Sequence, residues 1–60
     1  MLLWFTNLYG KQVAVDNRHI TSVYETDNGG QHCTNIVTLN GNIQVKDTIL
    51  EVVSRLNSGE

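Results

Sequence analysis

Apolar and polar residues alternate with a period of two along most of this chain, and a helical period replaces it only near the end. Ile43 and Val45, for example, are each preceded by an amide residue, which is typical of a strand with one buried face. After Thr48 the apolar residues recur at the spacing of an amphipathic helix. We therefore predict strands over about 2–8, 12–15, 20–26, 32–39 and 42–45, and a helix over about 48–57.

Glycine-containing turns separate the predicted strands. Asn40-Gly41 is a strong hairpin signal, because both residues tolerate the positive φ angles of a type I′ turn. Leu8-Tyr9-Gly10 resembles Leu39-Asn40-Gly41, and the later position of the next valine in the first copy indicates a bulge or a three-residue loop. The segment 27–31 contains two glycines and predicts a mobile loop.

The predicted helix carries its own start signal and one apolar stripe. Thr48 and Glu51 have the spacing of a capping box, in which each side chain accepts a hydrogen bond from the other residue's backbone N–H. We expect the stripe to pack on the sheet, so a charge at Val53 should unfold the protein, whereas Arg55 lies off the stripe and should be dispensable. Ser58-Gly59 is the predicted stop signal. The stripe consists of Ile49, Val52, Val53 and Leu56.

Together these elements predict one small α+β domain over residues 1–60. Its expected architecture is a five-stranded, mainly antiparallel sheet of hairpins with a C-terminal helix packed on it. In the first strand Leu3 and Phe5 should face inward and Trp4 outward. A large exposed aromatic indicates an interface or a stacking surface, whereas a register shifted by one residue would place Trp4 in the core.

The length of the chain limits its stability. A core of this size supplies roughly 3–5 kcal/mol, and small domains usually need a further support. Cys33 has no second cysteine to pair with, and together with His19 and His32 it does not complete a four-ligand zinc site. We therefore expect a homo-oligomer. A single cysteine also favours a reducing, cytoplasmic compartment.

Charge and hydropathy disfavour two kinds of partner. The formal net charge is −2 and 17% of the residues are charged, which argues against binding to a nucleic-acid backbone. The apolar segment 1–5 has no basic residue and is too short for a signal peptide, and no segment is long enough to span a membrane. We expect neither nucleic acid nor a membrane as partner.

The sequence contains no pattern that predicts catalysis. His32 and Cys33 are neighbours on a strand and point to opposite faces, so they cannot form a nucleophile–base pair; Cys33 is better explained as a core residue. Gly29-Gly30 lacks the residues that complete a phosphate-binding loop. Few residues remain once the core is built, so we expect a protein that is not an enzyme and uses no cofactor.

The polar corner at Asp16–His19 is a candidate binding site. Arg18 offers a fork of donors for an anion and His19 a pH-dependent donor, although a solvated turn with only local contacts is the alternative. Spare aromatic side chains and an amide-rich surface are typical of sites for nucleotide-like ligands. The candidate ligand-binding residues are Arg18, His19, Lys11, Tyr24, Trp4 and Asn17.

Several short motifs occur in a fixed order over nearly the whole chain. They are Leu8-Tyr9-Gly10-Lys11, Val13–Asn17, His19–Glu25, Val37–Gly41, Val45–Thr48 and Glu51-Val52. This order resembles the small FlbD/SwrD-type proteins that are linked to bacterial flagella. The resemblance implies a small accessory protein that acts through protein–protein contacts and has no catalytic residues.

Two functions of different classes remain open. In the first, the protein is a homo-oligomer that holds a small anionic, nucleotide-like ligand between its subunits, because so short a chain has no room for a closed pocket. Very small phage proteins that sequester cyclic-nucleotide signals are similar in size and in lacking catalysis. In the second, the protein is a FlbD/SwrD-like motility accessory factor.

Overall fold

The computed structural model describes residues 1–58, and the glycine of the predicted Ser58-Gly59 stop signal lies outside this range. The chain forms five strands, one 3₁₀ turn and one helix. They are β1 (Leu2–Thr6), β2 (Gln12–Asp16), the 3₁₀ turn (Asn17–His19), β3 (Ile20–Asn28), β4 (Gln31–Thr38), β5 (Gly41–Val45) and α1 (Ile49–Ser58). The predicted α+β class with five strands and a C-terminal helix is confirmed.

The five strands belong to two antiparallel sheets and not to one. β1 and β2 form a two-stranded sheet, while β3, β4 and β5 form a three-stranded sheet in that order. An isolated bridge between Asn7 and Val45 pairs the two sheets at the end of β5. The first hairpin is therefore a separate sheet that borders the larger one near Val45.

The β3–β4 turn corrects the prediction of a loop at residues 27–31. β3 continues to Asn28 and β4 begins at Gln31, and these two residues pair with each other. Only Gly29 and Gly30 remain in the turn, with φ angles of 61° and 83°. Two consecutive positive φ angles are the requirement of a type I′ turn, which glycine meets without strain.

The predicted type I′ turn at Asn40-Gly41 is wrong in its position, because φ is negative at Asn40. The turn residues are Leu39 and Asn40, one position earlier, and Gly41 follows them as the first residue of β5 with φ of 131°. The first hairpin differs, because the Asn7 N–H donates to the Lys11 carbonyl at 2.8 Å and encloses a three-residue loop in which Gly10 has φ of 82°. The two similar tripeptides thus form loops of different length, and the predicted three-residue loop is confirmed for the first.

A polar side chain before each of these two turns holds the backbone in place. The Asn7 Oδ1 atom accepts hydrogen bonds from the N–H groups of Tyr9 and Lys11, both at 2.9 Å. The Thr38 Oγ1 atom accepts one from the Asn40 N–H at 3.2 Å. These local bonds are the usual reason for Asn and Thr at such positions.

The core lies between the first hairpin, the inner face of the larger sheet and the helix. As predicted, Leu3 and Phe5 are buried while Trp4 between them is 59% exposed, which confirms the register of β1. Val13, Ile20, Val23, Ile43 and Leu56 pack around the edge of the cluster. The buried apolar cluster is Leu3, Phe5, Val15, Ile36, Val45 and Val52.

An ion pair covers the edge of β1 that faces away from β2. The Thr6 N–H donates to Asp47 Oδ1 at 2.9 Å, and the Thr6 carbonyl accepts from the Lys46 N–H at 2.8 Å. Arg55 Nη1 lies 2.9 Å from Asp47 Oδ2 and donates to the Trp4 carbonyl at 2.6 Å. Polar groups of an otherwise unpaired strand edge are thereby satisfied by the helix and by the segment before it.

Asp47 also connects this edge to the larger sheet. Its carbonyl accepts a hydrogen bond from the buried Thr34 hydroxyl at 2.7 Å, and its side chain is only 8% exposed. The Arg55 guanidinium carbon lies 5.4 Å from the centroid of the Phe5 ring, within cation–π distance. We call Asp47, Arg55 and the groups bonded to them the junction.

The helix itself corrects part of the sequence prediction. The capping box is confirmed, because the Glu51 N–H donates to Thr48 Oγ1 at 3.2 Å and the Thr48 N–H to Glu51 Oε1 at 3.3 Å. Val52 is fully buried, but Val53 is 38% exposed, so the expected burial of Val53 is wrong. Arg55 was expected to be dispensable because it lies off the stripe, but its charged end belongs to the junction, which gives a reason to expect a loss of stability instead.

We expect Arg55→Met to lower the free energy of unfolding by about 2 kcal/mol, because it leaves the nearly buried Asp47 carboxylate without its cation. Val53→Lys is the control and should stay within about 0.5 kcal/mol of the wild type, since its side chain can extend into solvent. Urea unfolding monitored by circular dichroism measures both. Equal stability of Arg55→Met and wild type would show that the junction contributes nothing.

Candidate functional site

The Arg18 fork that the sequence suggested for an anion is bound to Asp16 of the same chain. Arg18 Nη2 lies 2.8 Å from Asp16 Oδ2, and Arg18 Nε lies 3.1 Å from Asp16 Oδ1. The Arg18 backbone N–H donates to the same Oδ1 atom at 3.0 Å. These bonds hold the pKa of the Asp16 carboxyl well below its usual range, chiefly through the Arg18 side chain and next through its N–H.

The candidate residues do not converge on one place within a chain. Asn17, Arg18 and His19 lie together in the 3₁₀ turn after β2, whereas Lys11 immediately precedes β2. A five-residue strand spans about 16 Å at about 3.3 Å per residue, so Lys11 and Arg18 lie at opposite ends of the hairpin. One small ligand can contact both only if they come from different subunits.

The two aromatic candidates lie on different sheets. Trp4 pairs with Ala14 across the first hairpin, and its exposed side chain shares the outer face of β1 with Leu2. Tyr24 pairs with Asn35 from the middle of β3, an edge strand of the larger sheet, and is 47% exposed. Each is accessible to a partner, and neither lines the cleft beside the loop of the first hairpin.

That cleft, of about 390 Å³, opens between the loop of the first hairpin and the larger sheet. Its volume lies within the range of small-molecule sites. Its polar side chains are amides, with one tyrosine, and none of the lining residues is charged. The lining residues are Asn7, Leu8, Tyr9, Val13, Asn28, Asn35, Asn42, Ile43 and Gln44. We call this region the amide cleft.

The lining of the amide cleft includes a buried asparagine and a pair of hydrogen-bonded amides. Asn28, at the tip of the β3–β4 hairpin, donates through Nδ2 to Gln44 Oε1 on β5 at 2.8 Å, so the hairpin curls across this face of the sheet. Asn35 lies opposite Gln44 on the intervening strand and is only 3% exposed. Its Nδ2 atom is buried and has no hydrogen-bond partner among residues 1–58.

The arrangement is suited to binding and lacks groups for catalysis at the cleft. Amides donate and accept hydrogen bonds but do not ionise near neutral pH, and the lining holds no carboxylate, imidazole, amine or thiol side chain. Cys33 is buried as predicted, on the strand that also carries Asn35. Within the described part of the chain, no three His, Cys, Asp or Glu residues are grouped so that they could hold a metal ion.

The residue pattern alone does not predict the amide cleft. Asn35 is one of many asparagines in the sequence, yet it stands between Thr34 and Ile36 in the buried part of β4. A polar residue inside a strand that is buried on both faces is the signal that could have identified it, because such groups are normally hydrogen-bonded. The curl of the hairpin that brings Asn28 to Gln44 has no comparable local signal.

Comparisons with known proteins give no relative. No family model, no curated protein and no solved structure matches the chain. Residues 1–58 contain no helix that is long and apolar enough to cross a membrane.

The Asp16–Arg18 contact predicts an unusual titration. Asp16 should remain ionised well below the ordinary carboxyl pKa of about 3.9, so its contribution to stability is present above that pH and is lost as the pH falls through the lowered folded-state pKa. Carbon-detected NMR of the side-chain carboxyl measures the midpoint. Arg18→Ala should raise the midpoint towards the ordinary value, and an unchanged midpoint would contradict this assignment.

Proposed function

We propose that this protein is a non-enzymatic, homo-oligomeric binding protein that holds a small anionic, nucleotide-like ligand and releases it unchanged. The observation that carries the proposal is the amide cleft, whose polar lining consists of four asparagines, one glutamine and a tyrosine. Sequestration of a signalling nucleotide in the cytoplasm, as by very small phage proteins, is the biological role that fits such a protein.

The chemistry of the cleft suits the base of a nucleotide. Primary amides present a donor and an acceptor side by side, which matches the edges of nucleobases, and Asn and Gln are common readers of adenine. Tyr9, on the rim, is 88% exposed and has a face on which a base can stack. Leu8, Val13 and Ile43 supply the apolar surface that a planar ring covers.

The phosphate would lie outside the cleft, beside Lys11. Lys11 follows the loop and pairs with Asn7 through the hydrogen bond from the Asn7 N–H to the Lys11 carbonyl at 2.8 Å. Lys11 and Val13 are two residues apart, so they face the same side of the hairpin, and Val13 lines the cleft. In an oligomer, His19 of a second subunit, and those Arg18 N–H groups that do not bond to Asp16, are the further donors that this ligand can use.

Self-association is proposed through the outer face of the first hairpin. Leu2 and Trp4 are 57% and 59% exposed on this face, and Ala14 lies opposite Trp4. Large apolar side chains grouped on the surface of so small a domain favour an interface. The first hairpin has only two strands, which is marginal by itself, so burial of its outer face would stabilise it.

Isothermal titration calorimetry with AMP, ADP and cyclic nucleotides tests ligand binding. Lys11→Ala should weaken binding of AMP by about tenfold, or about 1.4 kcal/mol, but leave adenosine binding unchanged, because only AMP carries a phosphate. Lys46→Ala is the matched control, as Lys46 is exposed and lies outside the cleft. The nucleotide proposal fails if no nucleotide binds more tightly than about 1 mM.

Sedimentation velocity at micromolar concentration tests the assembly. We expect a dimer or larger oligomer, and Trp4→Ser should shift it towards monomer because it removes most of the apolar area on that face. Leu39→Ser, at an exposed hairpin turn, should leave the oligomer unchanged. A well-folded wild-type monomer would contradict the proposed assembly.

A second candidate is a FlbD/SwrD-like motility accessory protein that acts through protein–protein contacts. The observation that favours it is the same exposed face with Leu2 and Trp4, because a protein partner can cover it as well as a second copy can. A monomer that binds no nucleotide would favour this candidate. Its partner would then be a protein bound at the first hairpin.

A further inference from the structure

We infer that Asn35 is the specificity-determining residue of the amide cleft and that it reads a planar base presenting a hydrogen-bond acceptor beside a donor, such as adenine. This inference rests on the proposed function and specifies which part of the ligand the cleft recognises. In this binding mode, the edge of the nucleobase contacts the larger sheet and the phosphate contacts Lys11.

The first observation is the unsatisfied amide of Asn35. The residue is 3% exposed, and its Nδ2 atom is buried without a hydrogen-bond partner among the described residues. Buried donors are nearly always hydrogen-bonded in folded proteins, since an unpaired donor loses its interactions with water and gains nothing in return. An unpaired buried amide therefore destabilises the fold, and a hydrogen bond to a bound ligand would remove this destabilisation.

The second observation is the position of Asn35 in the cleft. It lies among the lining residues, opposite Gln44 on β5 and Tyr24 on β3. Asn28 and Gln44 bond to each other, whereas Asn35 Nδ2 has no hydrogen-bond partner among residues 1–58. The cleft thus contains one bonded pair of amides and one buried amide whose donor is unpaired.

The chemistry of this group selects the ligand. A primary amide is complementary to the N7 acceptor and the adjacent amino group of adenine, which it contacts through two parallel hydrogen bonds. The lining carries no charge, so an uncharged ring loses less by leaving water there than a phosphate would. The base is therefore the part of a nucleotide that belongs at Asn35.

Access to Asn35 Nδ2 requires neighbouring side chains to move, because this atom is buried. In the proposed binding mode, the hydrogen bond between Asn28 Nδ2 and Gln44 Oε1, which belong to the same cleft, opens to admit the base. Both residues are at least partly exposed, so each can turn to solvent or to the ligand at small cost. Binding should thus exchange one amide–amide bond for bonds between the amides and the base.

Substitution of Asn35 separates a binding role from a structural one. Asn35→Leu should weaken AMP binding at least about tenfold and melt no lower than the wild type, because it removes an unpaired buried donor and keeps a similar volume. Asn57→Leu, at an exposed position on α1, is the control and should bind AMP normally. Unchanged AMP affinity in Asn35→Leu, or a lowered melting temperature, overturns the inference.

A change in the ligand tests the same contact in the wild-type protein. Adenosine should bind at least about tenfold more tightly than 7-deazaadenosine, which lacks the N7 acceptor. Equal affinities overturn the inference even if Asn35→Leu fails to fold. The two compounds are measured by the same calorimetry as AMP.

Free adenine distinguishes failure of this inference from failure of the proposed function. If nucleotides do not bind but adenine shifts the Asn35 side-chain amide resonances, the nucleotide function fails and the base-reading role stands. If AMP binds without shifting these resonances, the function stands and the role of Asn35 fails. If neither adenine nor any nucleotide binds, both fail.

Discussion

The ion pair between Asp47 and Arg55 is the interaction on which the arrangement of the two sheets depends. A two-stranded sheet is marginal in water, and this one contacts the three-stranded sheet through a shared apolar core and an isolated bridge near Val45. The junction adds bonds from Asp47 to Thr6 and from Arg55 to the Trp4 carbonyl, so the free edge of β1 is held by charged groups. The first hairpin, the larger sheet and the helix all meet there.

The junction also explains why a cleft exists in so short a chain. It fixes the turn end of the first hairpin near Val45, and the loop beyond Asn7 lies beside β5. The space between this loop and the larger sheet is the amide cleft. The cleft is open, as expected for a chain too short to form a closed pocket. In the proposed function, a ligand or a second subunit would cover its open side.

Local sequence signals predicted the elements well and the long-range contacts poorly. The Thr48–Glu51 capping box and the inward side of β1 follow from spacing alone and are confirmed. The role of Arg55 in the junction could not be predicted from local spacing, because its contact with the Trp4 carbonyl joins residues far apart in the sequence. The periodicity of a helix shows which residues share a face but not which polar residue completes a distant strand edge.

The candidate site shows the same limit. Glycine pairs indicate turns, but the type I′ geometry belongs to Gly29-Gly30 and not to Asn40-Gly41, where Thr38 favours a different turn. Arg18 could be recognised as a donor fork, yet its pairing with Asp16 depends on the 3₁₀ turn. Asn35 can be recognised in the sequence as an amide within a buried strand. The hydrogen bond between Asn28 and Gln44 in the same cleft depends on the curl of the hairpin.

A crystal structure of the protein with AMP would test the central claim most directly, namely that the amide cleft is the ligand site. The adenine ring should lie in the cleft with its edge on Asn35, the bond between Asn28 and Gln44 should be open, and the phosphate should lie beside Lys11. An adenine ring seated at the Asp16–His19 corner or on Trp4, with the amide cleft unchanged, would contradict the claim.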